Sequence, residues 1–169
     1  AVNRRVYHFN QRADEYVLLP VVRGYRFALP SFVRSGVHNV FNNLGDVTNL
    51  LNSILQFKPK RVATTTGRLL LNTTIGIAGL FDPATVIGLA RQEEDFGQTL
   101  GFYGVGAGPY IMLPLLGPSN LRDAGGRLFD VGASTQINFI NSADIKRDYL
   151  ALYGLQITDE RANTSYEYG

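Results

Sequence analysis

The sequence is poor in the residues on which most catalytic and metal chemistry depends. It has no cysteine, which excludes disulfides, thiolate metal sites and cysteine nucleophiles. Its two histidines, His8 and His38, lie outside any HExxH pattern, so we expect no metal site. A GxxxxGK(S/T) phosphate loop and a GxSxG nucleophile elbow are also absent. These absences disfavour an enzyme, and we expect no cofactor.

Charged residues and continuous apolar runs are scarce as well. Only 18% of the residues are charged, against roughly 25% in a typical soluble domain, although 45% are hydrophobic. The longest uncharged run, residues 96–121, contains six glycines and three prolines, so it could not remain one membrane-spanning helix. We therefore expect no simple transmembrane helix. The chain has no internal repeat and no linker of biased composition, and residues 1–169 are expected to form one domain.

The charge is distributed unevenly along the chain. Residues 1–68 carry ten Lys and Arg against three Asp and Glu, whereas residues 69–169 carry six against eleven. A basic half can face the phosphates of lipid headgroups or of nucleic acid, or it can be a solvated surface with scattered arginines. Because no basic run is longer than Arg4-Arg5, we expect no nucleic-acid partner.

Helical periodicity dominates, and the predicted fold class is all-α. Apolar residues recur at helical spacing over residues 33–44 and again over 47–55, and Gly45-Asp46 between them predicts a break. Ser31 is the predicted N-cap of the first of these helices. Strands are poorly supported, because the β-branched clusters lack alternation. Further helices are predicted from Pro59 to Leu71, from Phe96 to Tyr103 after the acidic residues Glu93, Glu94 and Asp95, from Asn120 to Val131 after Ser119, and across Ile145 to Tyr153.

The polar faces of the predicted helices are rich in amides and hydroxyls and poor in charge. Soluble helices usually cover this face with Lys and Glu. One interpretation is that these helices meet something less polar than water on more than one side. The other is that the asparagines cap and end short helices, as asparagine often does. The residues in question include Asn42, Asn43, Asn49, Asn52, Asn72 and Thr73.

The stretch from Gly104 to Pro118 is too apolar for an ordinary surface loop and too rich in Gly and Pro for a helix. It is not a dinucleotide loop, because Pro109 follows the third glycine where a helix should begin. Its apolar residues could be core packing under a long loop. Nearby, Ser119 and the Glu93–Asp95 cluster are candidates for a hydrolytic site, but helix capping explains Ser119 more simply, and the first turn of a helix explains the three acids.

A resemblance to a known family rests on residues 94–123, EDFGQTLGFYGVGAGPYIMLPLLGPSNLRD. This stretch resembles the MlaA/VacJ family of bacterial outer-membrane phospholipid-binding lipoproteins. The resemblance continues in NRRVYHFNQ, in NVFNNLGDVTNLLNSILQ and in RLLLNTTIGIAGLFDPAT, and it covers about residues 3–130. It is weaker over residues 131–169, which are expected to form a helical C-terminal part.

The resemblance implies a ring of short amphipathic helices that lie in one leaflet of the outer membrane around a pore. An irregular Gly/Pro hairpin would lie beside this pore. Such proteins remove mislocalised phospholipids from the outer leaflet and pass them to a periplasmic carrier protein, which maintains lipid asymmetry. They associate with trimeric porins. The alternative function is a peripheral phospholipid-binding carrier or scaffold without a channel.

The resemblance also assigns roles to particular residues. Family members begin with a lipid-modified cysteine after a signal peptide, and we expect this anchor to lie outside the 169 residues. The protein is then expected on the periplasmic leaflet of the outer membrane. The expected polar pore lining is Asn42, Asn43, Asn49, Asn52, Asn72 and Thr73. The expected hairpin hinge and gate comprise Gly104, Gly106, Gly108, Pro109, Tyr110, Leu113, Pro114 and Leu116.

Overall fold

The computed structural model describes residues 2–137 and 145–164, so parts of the weakly matching C-terminal region lie outside the described residues. The described chain is mainly helical, which confirms the predicted fold class. A single π-helical turn, Asp14–Leu18, joins the first two helices. The helices are α1 (Val2–Ala13), α2 (Leu19–Ala28), α3 (Ser31–Leu55), α4 (Pro59–Thr74), α5 (Pro83–Val86), α6 (Phe96–Phe102), α7 (Leu121–Ile137) and α8 (Ile145–Asn163), and the strands are β1 (Tyr110–Leu113) and β2 (Gly117–Asn120).

The predicted break at Gly45-Asp46 is wrong, because α3 runs through both residues without interruption. Asp46 is fully buried and accepts hydrogen bonds from Arg68 at 2.9 Å and Arg91 at 3.2 Å. A Cβ on Gly45 would come within 2.8 Å of the Arg91 guanidinium, so glycine leaves room for that approach. These tertiary contacts outweigh the low helix propensity of the two residues.

The predicted caps are partly correct. Pro59 occupies the first turn of α4, where its missing N–H costs nothing. Asp95 caps α6 by accepting the N–H of Gln98 at 2.6 Å. Ser31 is not a cap, because it is already the first residue of α3 and Pro30 precedes it without a side-chain bond.

The start of α7 also differs from the prediction. Asn120 accepts the N–H of Asp123 at 2.9 Å, whereas Ser119 belongs to β2 and donates to a main-chain carbonyl. Asn120, and not Ser119, is therefore the N-cap of α7. Asparagine and serine are about equally common as N-caps.

The expectation of no strands is wrong for the hairpin. β1 and β2 pair antiparallel, with Tyr110 opposite Asn120 and Leu113 opposite Gly117. The strands are only four residues long, and Pro118 removes one donor, so the sequence carries no visible alternation. Leu115 and Gly117 adopt positive φ angles of 64° and 78° in and after the connecting turn.

The interior of the described chain is polar, and its exterior is apolar. Among the residues whose burial is described, only three apolar side chains are buried, whereas fifteen polar or charged ones are. In the same part of the chain, thirty-one large apolar side chains are exposed, among them Phe27 at 95% and Val86 at 86%. In α3, Asn43, Asp46 and Asn49 face inward while Leu44 is more than half exposed. This is the reverse of a water-soluble fold, in which contiguous apolar surface is small.

None of the described helices is long and apolar enough to cross a membrane.

Candidate functional site

A cavity of about 660 Å³ lies between α3, the loop before α6, the middle of α7 and α8, and we call it the interhelical cavity. This volume falls in the range of pockets that bind small ligands, roughly 300–1,000 Å³. Its wall combines apolar side chains, such as Phe41 and Leu152, with polar ones, such as Asn42 and Gln156. The cavity can therefore contact both parts of an amphiphilic molecule.

The wall behind the cavity is built on a buried arginine, Arg68 of α4. Its Nε donates to Asp46 at 2.9 Å, and its Nη2 donates to Asp82 at 3.1 Å. Its Nη1 donates to Thr85 at 2.9 Å and to the carbonyl of Leu89 at 2.7 Å. Burial opposes the charge of Arg68, but the bonds to the two carboxylates outweigh it and raise the pKa. This network joins α3, α4 and α5.

Asp82 stabilises the same corner by capping α5. Its carboxylate accepts bonds from the side chain and N–H of Thr85, from Asn72 at 2.9 Å and from Arg68. Burial alone would raise its pKa, but these four donors lower it to about 2. Asn72 also accepts the N–H of Ala84 at 3.1 Å, so both the nitrogen and the oxygen of its amide are bonded within the fold.

A second polar cluster lies between α3, α6 and α7. Thr99 donates to Asn52 Oδ1 at 2.7 Å and accepts from Gln56 Nε2 at 2.9 Å. Asn52 in turn donates to Asp130 Oδ1 at 3.2 Å, and the N–H of Phe96 donates to Asp130 Oδ2 at 2.9 Å. Asp130 lies on the wall of the interhelical cavity, so the amide cluster supports that wall from behind.

A third cluster attaches α8 to α2 and α3. Asp159 is buried and lies 2.7 Å from His38 Nδ1, and it accepts from the Tyr25 hydroxyl at 3.0 Å. Burial, followed by the bond to Asp159, raises the pKa of Tyr25 to about 12, so this phenol stays protonated. His38 and Asp159 both line the cavity.

The structure separates the six residues expected to line a pore. Asn42 lies on the interhelical cavity. Asn43, Asn49, Asn52 and Asn72 are buried, and each is hydrogen-bonded within the fold: Asn43 to Thr73 at 3.2 Å, Asn49 to Asp46 at 2.9 Å, and the other two as described above. The role of the six residues as a pore lining stays a prediction. The hydrogen bonds of the four buried asparagines also hold the helices together.

The residues expected to form the hinge and gate lie together on the hairpin and the loop before it. Residues 104–110 are exposed, as are Pro114 and Leu116, while Leu113 is half-buried. Gly104 and Gly108 adopt positive φ angles of 87° and 71°, which favour glycine, whereas Gly106 does not. Leu116 also lines a smaller cavity of about 260 Å³ beneath the hairpin.

The hairpin is held to α1 by two asparagine side chains. Asn3 donates to the carbonyl of Tyr110 at 3.1 Å and accepts the N–H of Met112 at 3.2 Å. Asn10 donates to the carbonyl of Leu113 at 2.9 Å and accepts the N–H of Leu115 at 2.8 Å. The two residues are seven apart and share one face of α1. They bond to the free edge of β1 as a further strand would.

The residues considered for hydrolysis are used structurally. Asp95 caps α6, and Glu93 is exposed next to Arg91. Glu94 is buried, and one carboxylate oxygen accepts from Lys58 at 2.8 Å and from Arg61. Within the described residues no group of three or more His, Asp or Glu is placed to hold a metal ion.

Sequence patterns did not predict the residues that build the cavity wall, above all Arg68, Asp130 and the His38–Asp159 pair. One signal was present in the sequence. Three polar residues at a spacing of three lie in the middle of an apolar helical pattern: Asp46, Asn49 and Asn52. Polar side chains at such positions need buried partners. Their partners lie 22 to 78 residues away, at Arg68 and Asp130 among others.

Comparison with known proteins agrees with this architecture. The family model described as MlaA lipoprotein matches residues 1–168. The chain is 38% identical over 132 residues to the intermembrane phospholipid transport system lipoprotein MlaA of Escherichia coli K12, covering 76% of this chain and 53% of that protein. It is 33% identical over 150 residues to an uncharacterised protein of Rickettsia bellii, covering 89% of this chain and 59% of that protein. The chain thus spans little more than half the length of these relatives.

A solved structure gives the same result. It is described as the structural basis for maintenance of bacterial outer membrane lipid asymmetry. The likeness covers 95% of this chain and 80% of that one, with a TM-score of 0.78 and 34% sequence identity. The match of the family model over nearly the whole chain, together with these relatives, shows that the chain belongs to the MlaA lipoprotein family.

Proposed function

We propose that the full-length protein takes phospholipids from the outer leaflet of the outer membrane and passes them to a periplasmic carrier, which maintains lipid asymmetry. The observation that carries this proposal is the reversed polarity of the fold: a polar interior and cavity inside an apolar exterior. The family membership and the names of the relatives support it. The protein would lie in the periplasmic leaflet, with a lipid anchor outside the 169 residues.

The physical demand of this function explains the arrangement. A phospholipid that leaves one leaflet must move its charged headgroup past hydrocarbon, where an unpaired charge is very costly. A cavity with amide and hydroxyl groups lowers that cost. The exposed apolar side chains, such as Phe27 and Phe32, would contact lipid acyl chains in the plane of the leaflet.

The partners follow from the same proposal. A protein that lies in one leaflet needs a carrier to bring the lipid across the periplasm, and the proposed carrier is the periplasmic protein of the same transport system. The second proposed partner is an outer-membrane trimeric porin, which would meet part of the apolar exterior. No chemical step on the lipid is required, so we propose a transport role without catalysis.

The alternative is a peripheral carrier or scaffold that binds phospholipid without a channel. The interhelical cavity has the size of a binding pocket and favours it to that extent. This alternative predicts a chain that stays monomeric in water without detergent and copurifies with stoichiometric lipid. The thirty-one exposed apolar side chains favour the membrane-embedded protein instead.

The test is the phospholipid content of the outer leaflet in cells that lack their own homologue. These cells are compared with and without a full-length, lipidated version of the protein. A fall of outer-leaflet phospholipid towards the normal level supports the proposed transport. If the protein is present in the outer membrane and the outer-leaflet phospholipid content does not change, the transport role is rejected. The peripheral carrier or scaffold would then be the remaining function.

The hinge of the proposed gate is tested in the same cells. A side chain at Gly106 meets no atom within 4 Å and needs no unusual backbone, so Gly106→Val should fold and restrict the segment. Gly108→Val adds strain, because its φ is positive and its Cβ would meet Leu121 at 3.2 Å. We expect both variants to reduce lipid removal. Normal lipid removal by the folded Gly106→Val protein would show that no hinge is needed there.

A further inference from the structure

The interhelical cavity carries more negative than positive side chains. The inference rests on the proposed function, in which this cavity binds the phospholipid. The charge of the cavity wall then decides which lipid headgroup the cavity prefers. Apart from the phenol of Tyr153, the ionisable groups that the described residues bring to its wall are four carboxylates, one guanidinium and one imidazole: Glu93, Asp130, Asp159, Glu160, Arg91 and His38.

The one guanidinium that the described residues bring to this wall is already engaged with carboxylates. Arg91 Nε donates to the fully buried Asp46 at 3.2 Å, and Nη1 lies 3.4 Å from Glu93. A lipid phosphate would have to compete with both carboxylates for this cation. The cavity wall therefore offers little to hold an extra negative charge.

Asp130 differs from the other carboxylates of the wall. Asp159 is paired with His38, Glu93 is exposed beside Arg91, and Glu160 is exposed, so that water solvates its charge, and accepts a bond from Gln156 at 2.9 Å. Asp130 is half-buried, and its two oxygens accept from neutral donors, Asn52 and the N–H of Phe96. These donors fix the position of the carboxylate but do not neutralise its charge.

The surroundings of Asp130 leave this charge under-compensated. Burial raises its pKa above the usual value, the bonds from Phe96 and Asn52 act against this, and the nearby Asp95 raises the pKa further. A carboxylate in these surroundings is stabilised when a cation binds beside it. Val131 follows it on the same wall, and Phe41, Leu44 and Leu152 supply apolar surface nearby.

We propose that Asp130 receives the ammonium group of a zwitterionic phospholipid, so that the cavity prefers headgroups of the ethanolamine type to anionic headgroups of the glycerol type. A zwitterionic lipid brings no net charge and places its cation against Asp130. An anionic lipid brings a net negative charge to a wall that is already negative, and it has no group to satisfy Asp130.

The test uses the full-length protein in detergent, incubated with equimolar phosphatidylethanolamine and phosphatidylglycerol. The bound lipids are quantified by mass spectrometry after repurification. We expect phosphatidylethanolamine to be enriched roughly five- to tenfold, as a partly exposed charge-assisted hydrogen bond would give. Asp130→Asn is expected to reduce this ratio to about one. Glu15→Gln removes the same charge at an exposed residue that lines neither cavity, and it should retain the preference.

A second measurement needs no variant, so it remains decisive if Asp130→Asn does not fold. A carbodiimide joins a primary amine to a carboxylate that it touches, forming an amide while the carbodiimide takes up the water as a urea. With phosphatidylethanolamine bound to the unaltered protein, peptide mass spectrometry should find the lipid on Asp130. Coupling to Glu93 or Glu160 instead would overturn the assignment.

Two further outcomes separate the possibilities. Soluble glycerophosphoethanolamine at the same concentration should not displace the lipid, and displacement would mean that the cavity binds free amines instead. Bound lipid in the supplied ratio, or enriched in phosphatidylglycerol, would overturn the headgroup preference while leaving the proposed transport intact. No bound phospholipid of either class would overturn both.

Discussion

Asn10 of α1 bonds to the hairpin at the end of β1, donating to the carbonyl of Leu113 at 2.9 Å. Its own side-chain oxygen accepts the N–H of Leu115 at 2.8 Å, and the residue is only 2% exposed. One side chain thus satisfies a donor and an acceptor on either side of Pro114. A helix therefore fixes a hairpin more than 100 residues later in the sequence.

Replacing Asn10 should loosen the hairpin without unfolding the helices. Asn10→Ala leaves the carbonyl of Leu113 and the N–H of Leu115 without these partners, and the loss of each part-buried hydrogen bond should cost about 0.5–1.5 kcal/mol. Hydrogen exchange should become at least tenfold faster at the amide of Leu115. Hydrogen exchange in α4, which has no hydrogen bond to Asn10 or to the hairpin among the described residues, serves as the internal control. Unchanged exchange at Leu115 would show that the hairpin holds itself in place.

The contact of α6 with α7 depends on a glycine at Gly126. A Cβ at this position would fall against the backbone nitrogen and Cα of Gly97, and backbone atoms cannot rotate away as a side chain can. Gly126→Ala should therefore lower the free energy of unfolding by about 2 kcal/mol or more. Thermal unfolding in detergent, followed by circular dichroism, measures the effect.

The neighbouring Gly125 provides a matched control. It is exposed on the same helix, and a Cβ there meets no atom within 4 Å. Gly125→Ala should raise stability by about 0.5–1 kcal/mol, because alanine has the higher helix propensity. Similar effects of the two substitutions would mean that the close approach to Gly97 does not determine the packing.

The sequence predicts the features of this fold that depend on neighbouring residues. Pro59 begins α4, and the acidic residue Asp95 lies at the N-terminus of α6, as expected, because each acts within one helical turn. The family pattern over residues 94–123 also indicates the hairpin as a unit. Its strands were not predicted, because part of their pairing comes from Asn3 and Asn10 and not from alternation within the strands.

The continuity of α3 could not be predicted for a similar reason. Gly45 and Asp46 look like a break, but their contacts with Arg68 and Arg91 come from 22 and 45 residues further along the chain. Periodicity also gives the two faces of a helix without saying which one faces inward. The scarcity of Lys and Glu on the polar face was the signal that this face is inside.

The acid stability of the protein should depend on Asp82. Its pKa in the fold is about 2, below the ordinary value of 3.8, so the carboxylate adds stability that is fully present above pH 3.8 and is lost as the pH falls through about 2. The shift corresponds to about 2 kcal/mol. Asp82→Asn should be less stable by at least this amount at pH 7, and its difference from the unaltered protein should narrow between pH 4 and pH 2.

Unfolding curves of both proteins across this pH range give the comparison. Glu93→Gln is the control, because Glu93 is 79% exposed in its side chain and removing its charge should change stability little at any of these pH values. A constant difference between Asp82→Asn and the unaltered protein down to pH 2 would contradict the assignment of acid sensitivity to Asp82.

The apolar exterior leads to a direct prediction of membrane affinity. Phe27 is 95% exposed on α2 and contributes almost no packing to the fold. Phe27→Ser should leave the unfolding temperature in detergent nearly unchanged, because surface substitutions usually change stability by less than about 0.5 kcal/mol. Binding to phospholipid vesicles should weaken about tenfold or more, since a buried phenylalanine side chain contributes about 1.5–3 kcal/mol. Vesicle flotation of the two proteins at equal concentration measures this loss.

Val86, which is 86% exposed on α5, gives a second position for the same test. Val86→Ser should weaken vesicle binding less than Phe27→Ser does, because it removes less apolar area. Thr66→Ser, at an exposed polar residue of α4, removes one methyl group and should bind nearly as the unaltered protein does. The order of affinities should follow the apolar area removed from each position. If Phe27→Ser and Thr66→Ser bound vesicles equally well, Phe27 would not contact lipid, and its exposed side chain would mark a contact with a protein instead.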